Sequence, residues 1–242
     1  MGLNLATLVF DAHDPARLSR FWAGVLDREL VGFPDQPGMF VLPSRDATDF
    51  AIGFCPTEEP KWGPNQMHFD LTSQYPEQQA ETVAKVLELG ARRIDIGQGP
   101  DADHVVLADP EGNEFDVIPA GNNFLADTAF IGAVSSDGTQ AVGYFWAEAL
   151  GWPLVWDQDE ETAIQSPQGG SKISWGGPPV NPKLGKNRLH FDLAPPSDGD
   201  QQAEVERLVA LGAKRIDIGQ GDVPWEVLAD PDGNEFCVLT PR

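Results

Sequence analysis

LGARRIDIGQG occupies residues 89–99 and LGAKRIDIGQG residues 211–221, identical at ten of eleven positions and 122 residues apart. The match extends outward from there. HFDL at 68–71 returns at 190–193 with the same spacing, and VLADPEGNEF at 106–115 returns as VLADPDGNEF at 227–236, one residue closer. Toward the N-terminus, Phe21-Trp22 and Leu26 match Phe145-Trp146 and Leu150 at a spacing of 124. Self-similarity at a fixed period marks a duplicated unit. The chain therefore reads as two tandem copies, residues 1–121 and 124–242, with the seam near Ala120–Asp127.

Within the first copy, Leu5–Ala12 reads as a strand, and Asp14-Pro15 supplies an N-cap followed by proline at the first helical position. Leu18, Phe21, Trp22, Val25 and Leu26 then recur at i, i+3, i+4, i+7 and i+8, a single buried helical stripe. The second copy repeats it with Val142, Phe145, Trp146, Ala149 and Leu150. Short β-like runs at Glu29–Phe33, Met39–Pro43 and Phe50–Cys55 follow, punctuated by Pro and Gly. The pattern begins again with a strand at Gln66–Ser73 and a helix at Pro76–Leu89 carrying Val83, Val86 and Leu87 inward, with Gly90 at the left-handed C-cap position. Strands Arg93–Ile96, His104–Ala108 and Glu114–Ile118 complete it, the last two joined by the turn Asp109–Asn113. Each copy is thus two β-α-β-β-β modules. The fold class is α+β, with helices on one face of each sheet and the other face open to a ligand.

The chain carries a net charge of −22, similarly distributed over both copies. That charge repels a phosphate backbone or an anionic bilayer, so no nucleic acid and no membrane partner is expected. The N-terminal stretch has neither the basic region nor the apolar run of a signal peptide. Cys55 and Cys237 form no CxxC pair and no disulfide framework. Together these predict a cytoplasmic protein without disulfides. No GxGxxG or GxxxxGK motif supports a nucleotide, and no Ser-His-Asp order supports a nucleophile elbow.

Paired modules with Asp-Pro opening the first helix, Phe-Trp within it, a His-bearing fifth strand and a closing DPxGNxF turn resemble the vicinal oxygen chelate superfamily, which includes glyoxalase I, the bleomycin-resistance proteins and the extradiol dioxygenases. KNRLHFDL at 186–193, LGA at 211–213 and VLADPDGNEFCV at 227–238 are similar to its glyoxalase-like subgroup. The resemblance covers nearly the whole chain. It implies four β-α-β-β-β modules paired into two cupped-sheet glyoxalase-like domains, with a cupped sheet in each half around a small-molecule cavity. It also implies a metal bound by a His or Gln on the first strand, a Glu on the fourth, a His on the fifth and a Glu on the last. The match to that set is partial. The first-strand position falls on Thr7 and near Ile131, and Phe50–Cys55 and Lys172–Trp175 offer no Glu. His68 and His190 hold the fifth-strand place, and the last-strand place is Asp116 in one copy and Cys237 in the other. A Lewis-acid metal needs about three protein ligands. His68 with Asp116 is an incomplete set, so a divalent metal is expected, if anywhere, in the first copy alone.

Residues i and i+2 of a strand share a face, so His68 projects with Asp70, and His190 with Asp192. A histidine beside carboxylates can move a proton without metal; the same residues read equally well as hydrogen-bonded polar groups of an open sheet face. Chemistry, where present, is assigned to His68, His190 and Asp116. The contact between His68 and Asp116 is expected at about 4–6 Å. Ligand contacts are assigned to Asp70, Asp192, Trp156, Trp175 and Trp225, the tryptophans predicting that the second cup prefers an aromatic ligand. His13 reads as structural, and Trp225 stands where the first copy has His104. The resulting expectation is a glyoxalase-like protein that binds a small organic molecule, aromatic or cationic, with no metal required. The alternative is a lyase, isomerase or dioxygenase using a metal or His/Asp acid–base chemistry. Homo-oligomer formation is left open.

Overall fold

In a computed structural model that describes residues 2–99 and 101–242, four modules follow one another. Module 1 comprises β1 (Asn4–Ala12), α1 (Pro15–Leu26), β2 (Val31–Gly32), β3 (Phe40–Leu42) and β4 (Ala51–Pro56). Module 2 comprises β5 (Met67–Leu71), α2 (Gln78–Glu88), β6 (Arg92–Arg93), β7 (Val105–Ala108) and β8 (Glu114–Val117). Module 3 comprises β9 (Ile131–Ser136), α3 (Gln140–Leu150), β10 (Leu154–Gln158), β11 (Glu161–Gln165) and β12 (Lys172–Trp175). Module 4 comprises β13 (Leu189–Ala194), α4 (Gln201–Leu211), β14 (Lys214–Arg215), β15 (Glu226–Ala229) and β16 (Glu235–Val238).

Local chemistry sets the helices as the spacing predicts. The Asp14 side chain accepts from the Arg17 amide at 2.9 Å, Pro15 opens α1, and Leu18, Phe21, Trp22, Val25 and Leu26 are buried. Helix α2 is shorter than expected, and Leu87 is exposed rather than inward; Val83 and Val86 carry its buried face. The run at Glu29–Phe33 pairs only at Val31–Gly32, and β6 is Arg92–Arg93, overlapping the expected run Arg93–Ile96 at Arg93 alone.

The sheets do not close one per half. One eight-stranded sheet runs β14-β15-β16-β13-β1-β4-β3-β2 and the other β10-β11-β12-β9-β5-β8-β7-β6. Module 1 therefore shares a sheet with module 4 (the outer cup), and module 2 with module 3 (the inner cup). This corrects the expectation of a cup within each half. The seams are antiparallel: β1 meets β13 with Val9 opposite His190, and β5 meets β9 with His68 opposite Ser135. Two-residue periodicity then fixes both faces. Leu8 and Phe10 of β1 and Phe69 and Leu71 of β5 turn inward into one continuous core shared by both sheets. Phe10 packs edge-on to Phe69 at 5.5 Å across the sheets, so the two open faces look away from each other.

Each half is tied internally by its repeated turn. Asp109 is 1% exposed. Its carboxylate accepts from the Trp22 indole N–H (3.2 Å), the amides of Glu111 and Asn113, and the Asn113 side chain. Asp230 accepts from the Trp146 indole at 3.1 Å in the same way. The DPxGN motif is thus a buried acceptor for the helix tryptophan, which is why Phe-Trp and DPxGN travel together.

Candidate functional site

On the open face of the inner cup, His68 and Asp70 of β5 stand between Asp116 of β8 and Ser135 of β9, with Ser174 of β12 beyond. His68 Nε2 lies 3.4 Å from Asp70 Oδ1 and 3.7 Å from Asp116 Oδ2, slightly closer than the expected range, and His104 Nε2 lies 4.0 Å from the same Asp116 oxygen. Ser135 Oγ donates to Asp70 Oδ2 at 2.5 Å and sits 3.2 Å from Ser174 Oγ. One Asp70 oxygen is thereby held while the other faces the imidazole. Burial lowers the His68 pKa, but the hydrogen bond and charge of Asp70, joined by the charges of Asp116 and Glu114, outweigh it and raise the pKa. Burial raises the Asp116 pKa against the opposing pull of His68.

Above this floor is a cavity of about 570 Å³ lined by His68, Ser135 and Ser174 together with Phe124, Trp156 and Ile96. Phe124, from the segment between the two halves, meets the Trp156 ring edge-on at 5.6 Å. Lys172 Nζ sits 4.8 Å from the Phe124 ring centroid and also donates to its carbonyl. Trp156 belongs to the second half and His68 to the first, so a single cup joins residues that the sequence assigned to separate ones.

The outer cup is furnished differently. His190 lies 3.6 Å from Asp192 and 3.8 Å from Asp11, and the Lys186 ammonium is bonded to Asp11. Cys237 faces Asp192, and burial followed by the charge of Asp192 drives its thiol pKa up. Asp192 is raised by burial against His190. Trp225 stands half-exposed at this cup's edge, just before β15. Trp175, assigned above to ligand binding, is a core residue. Ser174 occupies the open face of β12, so Trp175 turns inward, 2% exposed and stacked 6.5 Å from Trp146, while still contributing to the lining of the inner cavity. His13 Nε2 lies 2.8 Å from the Glu59 carbonyl oxygen and 3.1 Å from Arg188 Nη2. Both cysteines are free.

The register also moves the residues that face the two fifth-strand histidines. They are Ser135 and Val9, not Ile131 and Thr7, which pair with Leu71 and Asp192. Two donors on one divalent ion at ~2.1 Å stand roughly 3.0–3.4 Å apart, close to the separations around His68 Nε2, and ligand atoms of His68, Asp70 and Asp116 all lie within 4.8 Å. The inner donor set therefore fits a divalent ion. The outer set of His190, Asp192 and Cys237 is as closely spaced, but it has a thiol where the inner set has the Asp116 carboxylate, and its neighbouring carboxylate, Asp11, is already paired with Lys186.

The model of the glyoxalase-like domain matches twice, over residues 7–118 and 133–239. The chain belongs to the glyoxalase-like domain family. Glyoxalase I from Zea mays shares this fold at 14% identity with a TM-score of 0.66, the alignment covering 99% of this chain and 92% of that one. A candidate dioxygenase from Bacillus subtilis aligns over 99% of this chain and 85% of its own at 14% identity, TM-score 0.60. At that identity both show the fold alone. No curated protein matches the sequence. No helix among the described residues is long and apolar enough to cross a membrane.

Phe124, Ser135, Ser174 and Ile96 were missed in the sequence. The two serines carry no motif and Phe124 lies in the linker. Ile96 had a readable signal, being an isoleucine inside the most strictly repeated loop.

Proposed function

We propose that the protein binds a small organic molecule in the inner cup. The observation that supports this is the cavity of about 570 Å³ on the open face, lined by His68, Ser135 and Ser174 and by the aromatic rings of Phe124 and Trp156. Ligand sites of ~300–1,000 Å³ with apolar walls and a few convergent polar groups are the usual form. A thermal-shift screen of aromatic and cationic compounds tests the reading, since a ligand that binds the native state raises its apparent stability with concentration over Kd. Hits whose shift disappears in Trp156→Ala support the inner cup. Hits that survive Trp156→Ala but vanish in Trp225→Ala place the ligand in the outer cup and refute it.

The cluster of His68, Asp70 and Asp116 favours a second reading, an enzyme acting on that ligand. His68 Nε2 lies between the carboxylates of Asp70 and Asp116, a position from which the imidazole can exchange a proton with a bound substrate. A divalent ion, when bound by His68, Asp70 and Asp116, would supply Lewis-acid polarisation of a substrate oxygen. In either case Ser135 fixes the orientation of Asp70, and Phe124 and Trp156 wall one side of the cavity. Elemental analysis of protein purified without chelator separates the two: about one equivalent of metal, lost in His68→Ala, supports the metal, and none supports acid–base chemistry or binding alone.

A further inference from the structure

Asp11 and Asp137 hold the same place at the two seams. Each comes two positions after the residue that faces a fifth-strand histidine, Val9 opposite His190 and Ser135 opposite His68. Each amide then donates across its seam, Asp11 to the Arg188 carbonyl at 2.8 Å and Asp137 to the Gln66 carbonyl at 2.7 Å. Two-residue parity puts Asp137 on the open face with Ser135, just as Asp11 stands on the open face beside His190. The charges around them differ. In the outer cup the Asp11 carboxylate receives the Lys186 ammonium, and the Arg188 guanidinium donates to the Asp11 carbonyl at 2.8 Å. At the repeat spacing of 122 residues, Lys186 corresponds to Pro64 and Arg188 to Gln66. The inner cup thus keeps the carboxylate and lacks both cations. Asp137 accepts from the Asn181 amide at 3.0 Å and has no ion-pair partner among the described residues. Pro64, Gln66 and Asp137 all line the inner cavity, and so does the exposed Glu161. No lysine or arginine among the described residues lines it. Lys61 is bonded to Glu114, and Lys172 to the Phe124 carbonyl.

We propose that the inner cup selects an organic cation, its ammonium seated beside Asp137 in the place that Lys186 fills in the outer cup and its apolar body against Trp156 and Phe124. Lys186 is the built-in counterpart of that ligand: a primary ammonium bonded to the equivalent carboxylate. A charge-assisted bond of this kind is about twice as strong as a neutral one. The ring faces of the aromatic wall also attract a cation, and Glu161 with the net charge of −22 draws it in from a distance. Asp137 is on this account the residue that sets specificity. This rests on the binding reading above and adds the charge class of the ligand.

Three indoles of similar size separate the charge from the ring: tryptamine, which carries an ammonium at neutral pH; tryptophol, with a hydroxyl in its place; and indole-3-acetate, with a carboxylate. Isothermal titration against the full-length protein should show tryptamine binding at least tenfold tighter than tryptophol, with indole-3-acetate weakest. Asp137→Asn keeps an acceptor for the Asn181 amide and removes the charge, so it should bring tryptamine to the level of tryptophol while leaving tryptophol unchanged. Pro64→Lys supplies in the inner cup the ammonium that Lys186 supplies in the outer one, and should weaken tryptamine at least tenfold. Tryptophol or indole-3-acetate binding as tightly as tryptamine, or tryptamine affinity unchanged in either variant, would overturn the assignment. If none of the three binds, the Trp156-dependent hits of the compound screen decide. Hits that carry an ammonium and are lost in Asp137→Asn support the assignment; neutral or anionic hits that survive it overturn the assignment and leave the binding reading standing. If no compound of any kind binds, both fail.

Discussion

Cutting the chain between Gly121 and Asp127 probes the cross-half pairing directly, because neither half owns a complete sheet. Two seams would be undone on separation: β1 against β13 from Asn4–Ala194 to Phe10–Leu189, and β5 against β9 from Met67–Ser136 to Leu71–Ile131. Leu8, Phe10, Phe69 and Leu71 in the first half face Phe191, Leu189, Val134 and Ile131 in the second, and all are essentially buried. Full burial of such a side chain contributes about 1.5–3 kcal/mol. Uncovering one flank of each costs roughly 1 kcal/mol apiece, about 8 kcal/mol together, before the ladder hydrogen bonds at about 0.5–1.5 kcal/mol each. That sum is comparable with the whole stability of a typical domain, ~5–15 kcal/mol. Residues 1–121 expressed alone should therefore be unfolded or self-associated through the open β1 and β5 edges. Co-expressed with residues 124–242, they should form a 1:1 complex of native molecular mass by light scattering, with the circular dichroism of the intact chain. A monomeric 1–121 fragment that unfolds cooperatively with half the denaturant m-value would refute the reasoning, since it would mean each half closes on itself.

Burial raises the pKa of Asp109 to about 6, above its unfolded value near 3.9. Its contribution is thus fully present below about pH 4 and is lost as pH rises through 6, a change of roughly 3 kcal/mol. In urea titrations Asp109→Asn should flatten the fall in stability between pH 4 and 6, and an unchanged slope would contradict the buried placement. Trp175→Ala, in the core, should destabilise by about 3–5 kcal/mol, whereas Trp156→Ala, on the open face, should cost clearly less. Equal midpoints in thermal unfolding would show that Trp175 is not the core residue described.

Much of the fold was legible because local signals determine it. The Asp14-Pro15 start, the Phe21-Trp22 stripe and the Asp109–Asn113 turn each specify an element and its buried side, and they recur. Module pairing was not legible, because β5 and β13 carry the same HFDL and either could be imagined beside β1 or β9. The choice is made by side chains distant in sequence, such as Phe10 on Phe69 and Leu189 opposite Phe10. The same ambiguity governs the site. His68, Asp70 and Asp116 lie within one module, so strand parity sufficed to bring them together. Trp156 and Ser135 come from the other half and could be placed beside His68 only once the seam was known. Trp175 faces the core because Ser174 next to it takes the open face, a parity that tryptophan counts ignore, although Trp175 also lines the cavity. Strands β2 and β6 are short edge strands, a length that the apolar runs in the sequence do not reveal.

The measurement that bears most directly on the inner cup as the working site is isothermal titration of the best ligand from the thermal-shift screen against the wild type, His68→Ala and His190→Ala. The two histidines occupy equivalent repeat positions, and His190 stands in the outer cup beside the Lys186–Asp11 pair. Affinity should fall at least tenfold in His68→Ala and stay unchanged in His190→Ala. Loss confined to His190→Ala, or equal loss in both, would contradict the account.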